Sequence, residues 1–184
     1  MRLRRSYGVN KSFMESGYHK NMKTVTHKRL REVLYYNKNT GNFTWLFSLS
    51  KNVPIGTIAG YSRKDGRRKI RIDGVKYYAS RLAWFYIYGK WPKYEIDHKN
   101  GIRSDDRIVN LRDVITQVNR QNRHFPDWDN NCGFLGVSIR PSGRYLAQIT
   151  KNKKINRLGI FDTPEEAHNA YLKAKRQLHE GCTI

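Results

Sequence analysis

The chain has 184 residues, with 36 Lys and Arg against 15 Asp and Glu, for a formal charge of +21. Its isoelectric point is near 10.2 and its mean hydropathy is -0.80. This length allows one ordinary domain or two small ones. The charge favours nucleic acid as the partner, and the alternative is a solvated basic surface of the ribosomal type.

Cysteine usage and hydropathy exclude several other classes. The two cysteines, Cys132 and Cys182, have no paired spacing, so neither a disulfide framework nor a structural zinc site is expected. No apolar run suits a signal peptide or a membrane span, so we expect no membrane partner. These features together predict a cytoplasmic protein.

The first part of the chain changes character near residue 23. Residues 1–22 are basic and polar, which predicts a flexible arm, and translation from Met22 is an alternative to Met1. Thr26 is a candidate cap for a helix that runs through three apolar residues on one face: Leu30, Val33 and Leu34.

A small sheet and a second helix are predicted next. Residues 43–45 favour a short strand, and Asp73-Gly74 is a two-residue hairpin turn between alternating segments within 55–78. Ser80 is a candidate cap for an apolar helix, SRLAWFYIY, which Gly89 would end.

The segment EIDHKNGIRSDDRIVNLRDVITQVNRQNR carries the most informative polar side chains. Carboxylate and carboxamide oxygens are hard ligands for a magnesium-like ion, and histidine is the side chain best suited to take a proton from water near neutral pH. The pattern predicts a strand ending in Asp97-His98, a loop, a strand, and a short helix capped by Thr116 that carries Asn119 and Asn122. Because strand neighbours point to opposite faces, Asp97 and His98 can converge only at a strand end or a bulge.

A second unit is predicted after a polar linker at 125–131. It covers residues 132–180 and comprises three strands, at 137–139, 145–149 and near 155–160. A helix follows from Thr163, with Pro164 in its first turn, and continues to Leu178 before Gly181. The fold class is therefore α+β, in units of residues 23–124 and 132–180.

The motif segment resembles HNH endonucleases with the ββα-metal fold, above all the phage homing type. The matching pieces are DHxNG, DRIVNLR and NRQNR, at residues 94–124, and the preceding RLAWFYIYGKWP is also similar. The resemblance implies His98 as general base, Asp97 and Asn119 as ligands of one divalent metal, and Asn110 as the brace of the loop. The metal would be Mg²⁺, with Mn²⁺ as the alternative, and the host compartment a bacterial cytoplasm if a phage encodes the chain.

Residues 134–178 resemble the DNA-binding domain of plant ethylene-response factors, the APETALA-two class. The matching pieces include FxGV, RPxGRY, AQI and LGxFDT. That class lays a three-stranded sheet into the major groove with a helix behind it. The resemblance implies Arg140, Arg144 and Gln148 as the side chains nearest the bases, and Tyr145 as a contact to a sugar or base. The alternative is that the basic residues touch only phosphates.

The sequence thus predicts a metal-dependent endonuclease that acts on double-stranded DNA as a monomer or weak dimer. A single site per chain cuts one strand at a time. The leading alternative is a non-catalytic DNA-binding regulator that keeps a degenerate HNH scaffold. A third hypothesis is an RNA-binding accessory protein, which would prefer RNA over DNA in a competition assay.

Overall fold

The computed structural model describes residues 24–184, which form four α-helices, one short 3₁₀ helix at Ile108–Asn110 and ten strands. The flexible arm expected at 1–22 and the alternative start at Met22 lie outside these residues. In chain order the elements are α1 His27–Val33, β1 Leu34–Tyr36, β2 Phe43–Trp45, β3 Tyr61–Ser62, β4 Arg68–Ile72, β5 Val75–Tyr78, α2 Ala79–Tyr88, β6 Glu95–His98, β7 Leu111–Val114, α3 Thr116–Gln121, β8 Val137–Ile139, β9 Tyr145–Lys151, β10 Lys154–Phe161 and α4 Pro164–Leu178.

The strands of the described residues form four small antiparallel sheets. β1 pairs with β2, β6 pairs with β7, and the two three-stranded sheets have the orders β3-β4-β5 and β10-β9-β8. Helix α4 packs against the last sheet. This confirms the mixed α+β class and the three-stranded sheet with a helix in the C-terminal part.

The first helix begins as predicted but ends earlier. The Thr26 side chain accepts a hydrogen bond from the Arg29 backbone N–H at 3.1 Å, as an N-cap residue does. Leu34 is not helical: it begins β1 and pairs with Trp45. The prediction of a helix through Leu34 was wrong. An apolar side chain at this position would be buried in either a helix or a strand, so the sequence pattern does not distinguish them, and pairing with β2 selects the strand.

The central turns follow local backbone preferences. Asp73 and Gly74 both have positive φ, 45° and 83°, as the predicted two-residue hairpin turn requires. Gly89 ends α2 in the left-handed conformation, also as predicted. Ser80, however, is not the cap: α2 begins at Ala79, its N-cap is Tyr78, and Ser80 is buried inside the first turn.

The described residues contain an N-terminal and a C-terminal hydrophobic core, and the first of these positions the motif. The first joins α1, α2 and the sheets around them, and it includes Leu111 of β7, with Ile96 and Ile108 packed against it. The motif hairpin is therefore fixed to the N-terminal core through its apolar face. The second core lies between α4 and the β8–β10 sheet, where its buried residues include Val137, Ala147, Ile149, Ala167, Tyr171 and Ala174. Within residues 24–184, no helix has the length and apolar character needed to span a membrane.

Candidate active site

The β6–β7 hairpin and helix α3 carry the polar residues of the motif. Antiparallel pairing sets Asp97 opposite Arg112 and His98 opposite Leu111. Helix α3 then brings Asn119 back over β6, while Asn122 is the C-cap residue of that helix. The strand, loop, strand and helix order of the motif is thus present.

Asp97 is buried, with 6% of its surface exposed, and is held by two side chains. Arg112 Nε donates to Oδ2 at 2.8 Å, and Asn122 Nδ2 donates to Oδ2 at 3.0 Å and to Oδ1 at 3.2 Å. Asn122 also donates to the backbone carbonyl of His98 at 3.0 Å. These contacts fix both the carboxylate and the strand end that carries His98.

His98 forms a buried pair with a carboxylate that the motif analysis did not single out. Its Nε2 lies 2.9 Å from Oδ1 of Asp106, and both residues are buried. The hydroxyl of Tyr36 donates to the backbone carbonyl of Asp106 at 2.7 Å, and burial raises the pKa of Tyr36. A carboxylate so fixed orients the imidazole, and an imidazole that donates through Nε2 keeps the lone pair of Nδ1.

The loop between the strands is tied together by Asn110. Its Oδ1 accepts from the backbone N–H of Asn100 at 3.0 Å, and its Nδ2 donates to the backbone carbonyl of Asp105 at 2.8 Å. Hydrogen bonds from the Arg107 side chain, and a further one from Asn100, lower the pKa of Asp105 to about 2. Asn110 therefore has the contacts that a loop brace needs, and it does not line the cleft described below.

Asn119 and Asn122 have different partners on β6. Asn119 Nδ2 donates to Glu95 Oε2 at 2.6 Å, whereas Asn122 contacts Asp97. Thr116 is not the cap of α3. It is the first residue of the helix after the N-cap Ile115, and its hydroxyl donates to Glu95 Oε1 at 2.7 Å. The local sequence pattern predicted that the Thr116 hydroxyl would cap α3. In the structure this hydroxyl instead makes a tertiary contact with Glu95 of β6.

A cleft of about 820 Å³ brings together the two polar residues at the end of β6 and the asparagine of α3. Asp97, His98 and Asn119 all line it, although Asp97 and His98 have separate hydrogen-bond partners. Four arginines line the same cleft: Arg67, Arg103, Arg120 and Arg123. Guanidinium groups suit phosphate oxygens, so the cleft has the charge and the size to receive a nucleic-acid backbone.

The donor set of this cleft fits a hard cation that keeps part of its water shell. No group of three or more His, Cys, Asp and Glu within residues 24–184 is arranged to hold a metal. Asp97 Oδ1 accepts a single long hydrogen bond within the described chain, and the Nδ2 contact of Asn119 to Glu95 leaves its carbonyl Oδ1 available. One carboxylate and one carboxamide oxygen suit Mg²⁺, which retains waters and binds phosphate.

Residues 77–121 match the HNH endonuclease family model. These residues are therefore similar to HNH endonucleases, and we call them the HNH segment. It runs from the end of β5 through α2, the β6–β7 hairpin and α3, and so contains Asp97, His98, Asn110 and Asn119. The resemblance drawn from the motif is confirmed for this segment.

The comparison with curated proteins found plant transcription factors. The chain is 46% identical over 52 residues to ethylene-responsive transcription factor ERF117 of Arabidopsis thaliana, which is 27% of this chain and 16% of that protein. It is 51% identical over 47 residues to ethylene-responsive transcription factor LEP of Arabidopsis thaliana, 24% of this chain and 22% of that protein. The chain thus spans less than a quarter of these relatives, and the second resemblance is confirmed as partial similarity. No solved structure matched the chain.

The C-terminal residues of the chain reach the HNH segment. Arg112 Nη2 donates to the carbonyl of Gly181 at 2.6 Å. The hydroxyl of Thr183 hydrogen-bonds with Asn122 Oδ1 and with the carbonyl of Lys99. Both partners of Asp97, Arg112 and Asn122, are therefore held by the residues after α4. Sequence reasoning missed these contacts because no local pattern links positions about 60 residues apart.

A second histidine of the cleft also escaped the motif analysis. His124 Nε2 lies 3.0 Å from Asn122 Oδ1 and 3.0 Å from Thr183 Oγ1. Burial, followed by the nearby Lys175 ammonium, lowers the pKa of His124. Gly101 leaves room for this ring, because a Cβ there would lie 2.7 Å from His124 Cγ. The lowered pKa favours the neutral ring, which packs between Gly101 of the loop and Thr183 near the C-terminus.

The residues expected to read DNA do not all lie on one face. Arg140 and Arg144 are exposed at the β8–β9 turn, and Arg144 Nε donates to Asp162 at 2.7 Å. Gln148 lines a second cleft of about 1290 Å³, next to α3 and α4. Tyr145 is half-buried in the core cluster of Ala147, on the helix side of the strand. The structure therefore sets Tyr145 apart from Gln148.

Proposed function

We propose that this chain is a metal-dependent DNA endonuclease of the homing type, whose ββα-metal site hydrolyses one phosphodiester bond. The observation that carries the proposal is the His98–Asp106 pair, at the edge of a cleft shared with Asp97 and Asn119 and lined by four arginines. The match of residues 77–121 to HNH endonucleases supports it.

His98 is the general base of the proposed reaction. Its Nε2–H donates to Asp106, so Nδ1 accepts a proton from water, and the oxygen of that water attacks phosphorus. The bond between phosphorus and the 3′ oxygen breaks, and that oxygen takes a proton from solvent. The products are a 5′ phosphate and a 3′ hydroxyl. Asn110 keeps the loop closed behind His98.

Asp97 and Asn119 would hold the divalent ion, Mg²⁺ first and Mn²⁺ as the alternative. When bound, such an ion stabilises negative charge on the phosphate and on the leaving oxygen. Arg112 and Asn122 keep the Asp97 carboxylate in place, while Glu95 orients the Asn119 amide so that its carbonyl oxygen is available. The arginines of the cleft hold the DNA backbone.

The C-terminal unit would bind double-stranded DNA and set the register of the cut. Partial similarity to two ethylene-responsive transcription factors supports this role. Arg140, Arg144 and Gln148 remain the proposed base or phosphate contacts. Tyr145 is now assigned to packing, since it lies in the core cluster. The protein would act as a monomer or weak dimer that cuts one strand per site.

A second candidate, a DNA-binding regulator without catalysis, is favoured by one observation. Both oxygens of Asp97 already accept hydrogen bonds, from Arg112 and Asn122, so the carboxylate is engaged without an ion. In that case the HNH segment would serve as a scaffold for DNA binding.

The two candidates separate in one assay. Purified protein is incubated with supercoiled plasmid in magnesium and, in parallel, in EDTA, and binding is followed by gel shift. The nuclease converts plasmid to open-circle or linear forms in magnesium, and EDTA abolishes the conversion. Intact plasmid beside a clear gel shift would favour the regulator.

A further inference from the structure

The segment that follows α3 presents two aromatic side chains beside the cleft. Phe125 is 69% exposed and Trp128 is 98% exposed. The value for Trp128 is the largest among the exposed large hydrophobic residues of the described chain. Both line the cleft that contains Asp97 and His98. Isolated exposed hydrophobic residues are common on proteins, so exposure alone assigns no role.

Anchoring on both sides of this segment distinguishes it from a loose loop. Before it, the Lys175 ammonium hydrogen-bonds to the carbonyl of Arg123, whose side chain pairs with Asp127. After it, the backbone of Asn130 donates to the carbonyl of Asp127 at 3.0 Å, and its side chain donates to the carbonyl of Phe134 at 3.1 Å. The backbone is therefore held on both sides while the Trp128 ring extends into solvent.

The charge around the aromatic pair indicates which partner it suits. Arg103, Arg120 and Arg123 line the same cleft. Of the two acids in the segment, Asp127 is paired with Arg123, and Asp129 is exposed and does not line the cleft. Aromatic rings among basic side chains suit nucleobases, because the cations hold phosphates while the rings stack on bases. An acidic protein surface would match only the arginines, and an apolar protein surface would match only the aromatic rings.

We propose that Phe125 and Trp128 form a base-stacking site that inserts into the duplex next to the phosphate held in the cleft. The proposal rests on the proposed function, since it takes DNA to be the molecule bound there. Insertion of an apolar or aromatic side chain between base steps opens and bends the duplex, which would bring the scissile strand toward His98.

The test measures DNA binding without cleavage, so that it does not depend on nuclease activity. A labelled 40-bp duplex of mixed sequence is titrated in calcium at several salt concentrations, with Trp128→Ala, Trp128→Phe and Phe125→Ala. Tyr35→Ala, an exposed aromatic outside both clefts, and Arg120→Ala serve as controls. We expect Trp128→Ala to weaken binding about tenfold, with a smaller loss for Phe125→Ala.

The salt dependence distinguishes stacking from a charge effect. Trp128→Ala should leave the slope of log affinity against log salt unchanged, whereas Arg120→Ala should reduce it by about one. Trp128→Phe should bind like wild type but lose the change in tryptophan emission on DNA addition. Equal affinity of Trp128→Ala and wild type, or a Trp128→Ala loss matched by Tyr35→Ala, would overturn the proposal. A wild-type protein that binds no duplex overturns the DNA role of the chain as well, whereas binding in calcium with no plasmid cleavage in magnesium rejects only the nuclease.

Discussion

The buried pair of His98 and Asp106 is the residue-scale basis of the account. An imidazole without a fixed partner can rotate and can take either tautomer. The Asp106 carboxylate, 2.9 Å from Nε2 of His98, fixes both the ring orientation and the tautomer. Tyr36 in turn fixes the backbone of Asp106 from β1. The proposed base is thus held by the N-terminal core and not only by its own hairpin.

Substitution of the carboxylate tests this arrangement. In Asp106→Asn the amide keeps the size of the side chain but loses the charge that favours Nε2–H, so we expect cleavage to fall by about 10- to 100-fold. Plasmid nicking rates in magnesium provide the measurement, and DNA affinity in calcium should stay unchanged.

An exposed acid outside the cleft supplies the matched control. Asp73→Asn loses the same charge on the β4–β5 turn and should cleave like wild type. Wild-type cleavage by a folded Asp106→Asn protein would show that the pair has only a structural role.

At the scale of elements, local signals predicted the boundaries that depend on the backbone alone. The Thr26 cap, the Asp73-Gly74 turn, Gly89 and the Thr163 cap each follow from the preferences of one or two residues. Ser80 has the same capping chemistry, but the connection from β5 places the N-cap two residues earlier, at Tyr78. Local chemistry therefore predicted these elements except where contacts with another element decide the outcome.

In the candidate site, too, the sequence predicted some residues, whereas others depend on contacts between elements. Asp97, His98 and Asn119 were named as site residues from the sequence, and all three line one cleft in the structure. The supporting residues were not, because Asp106, Asn122 and Thr183 act through contacts that only the folded chain creates. Asn122 in particular belongs to the same helix segment as Asn119 but contacts a different carboxylate.

The β8–β9 turn allows DNA contact to be separated from stability. Arg144 pairs with Asp162 in solvent, and an exposed ion pair of this kind adds little stability. We expect Arg144→Ala to leave the melting temperature within about 2 °C of wild type. Its affinity for duplex DNA should fall about fivefold or more, because a base or phosphate contact is lost.

Arg29→Ala is the control, since it removes one charge and two exposed ion pairs, with Asp73 and Glu32, from α1. Gel shifts at fixed salt and thermal melts compare the two variants. If Arg144→Ala and Arg29→Ala lose affinity equally, the effect is one of net charge and the turn is not a DNA contact.

Over the whole molecule, the HNH segment and the C-terminal residues share one hydrogen-bond network around Asp97. Gly181 holds Arg112 and Thr183 holds Asn122, so both supports of the carboxylate depend on residues beyond α4. The buried Lys175 adds a further link from α4 to the carbonyl of Arg123. A displacement of the residues after α4 would therefore change the hydrogen bonds that hold Asp97, the proposed metal ligand.

Removal of a single hydroxyl tests this coupling. Thr183→Val keeps the shape of the side chain but cannot hold Asn122, so we expect cleavage to need several-fold more magnesium while DNA affinity is unchanged. Thr183→Ser restores the hydroxyl and should restore the magnesium dependence. Identical magnesium titrations for Thr183→Val and wild type would mean that the network does not reach the site.

The most direct test of the account is the single-turnover cleavage rate of His98→Ala against wild type, at saturating protein in magnesium. Binding of the same DNA in calcium and a thermal melt establish that the variant is folded and loaded. We predict unchanged binding and a rate at least about 100-fold lower, the contribution expected of a general base. Equal rates for the two proteins would contradict the assignment of His98 as the base.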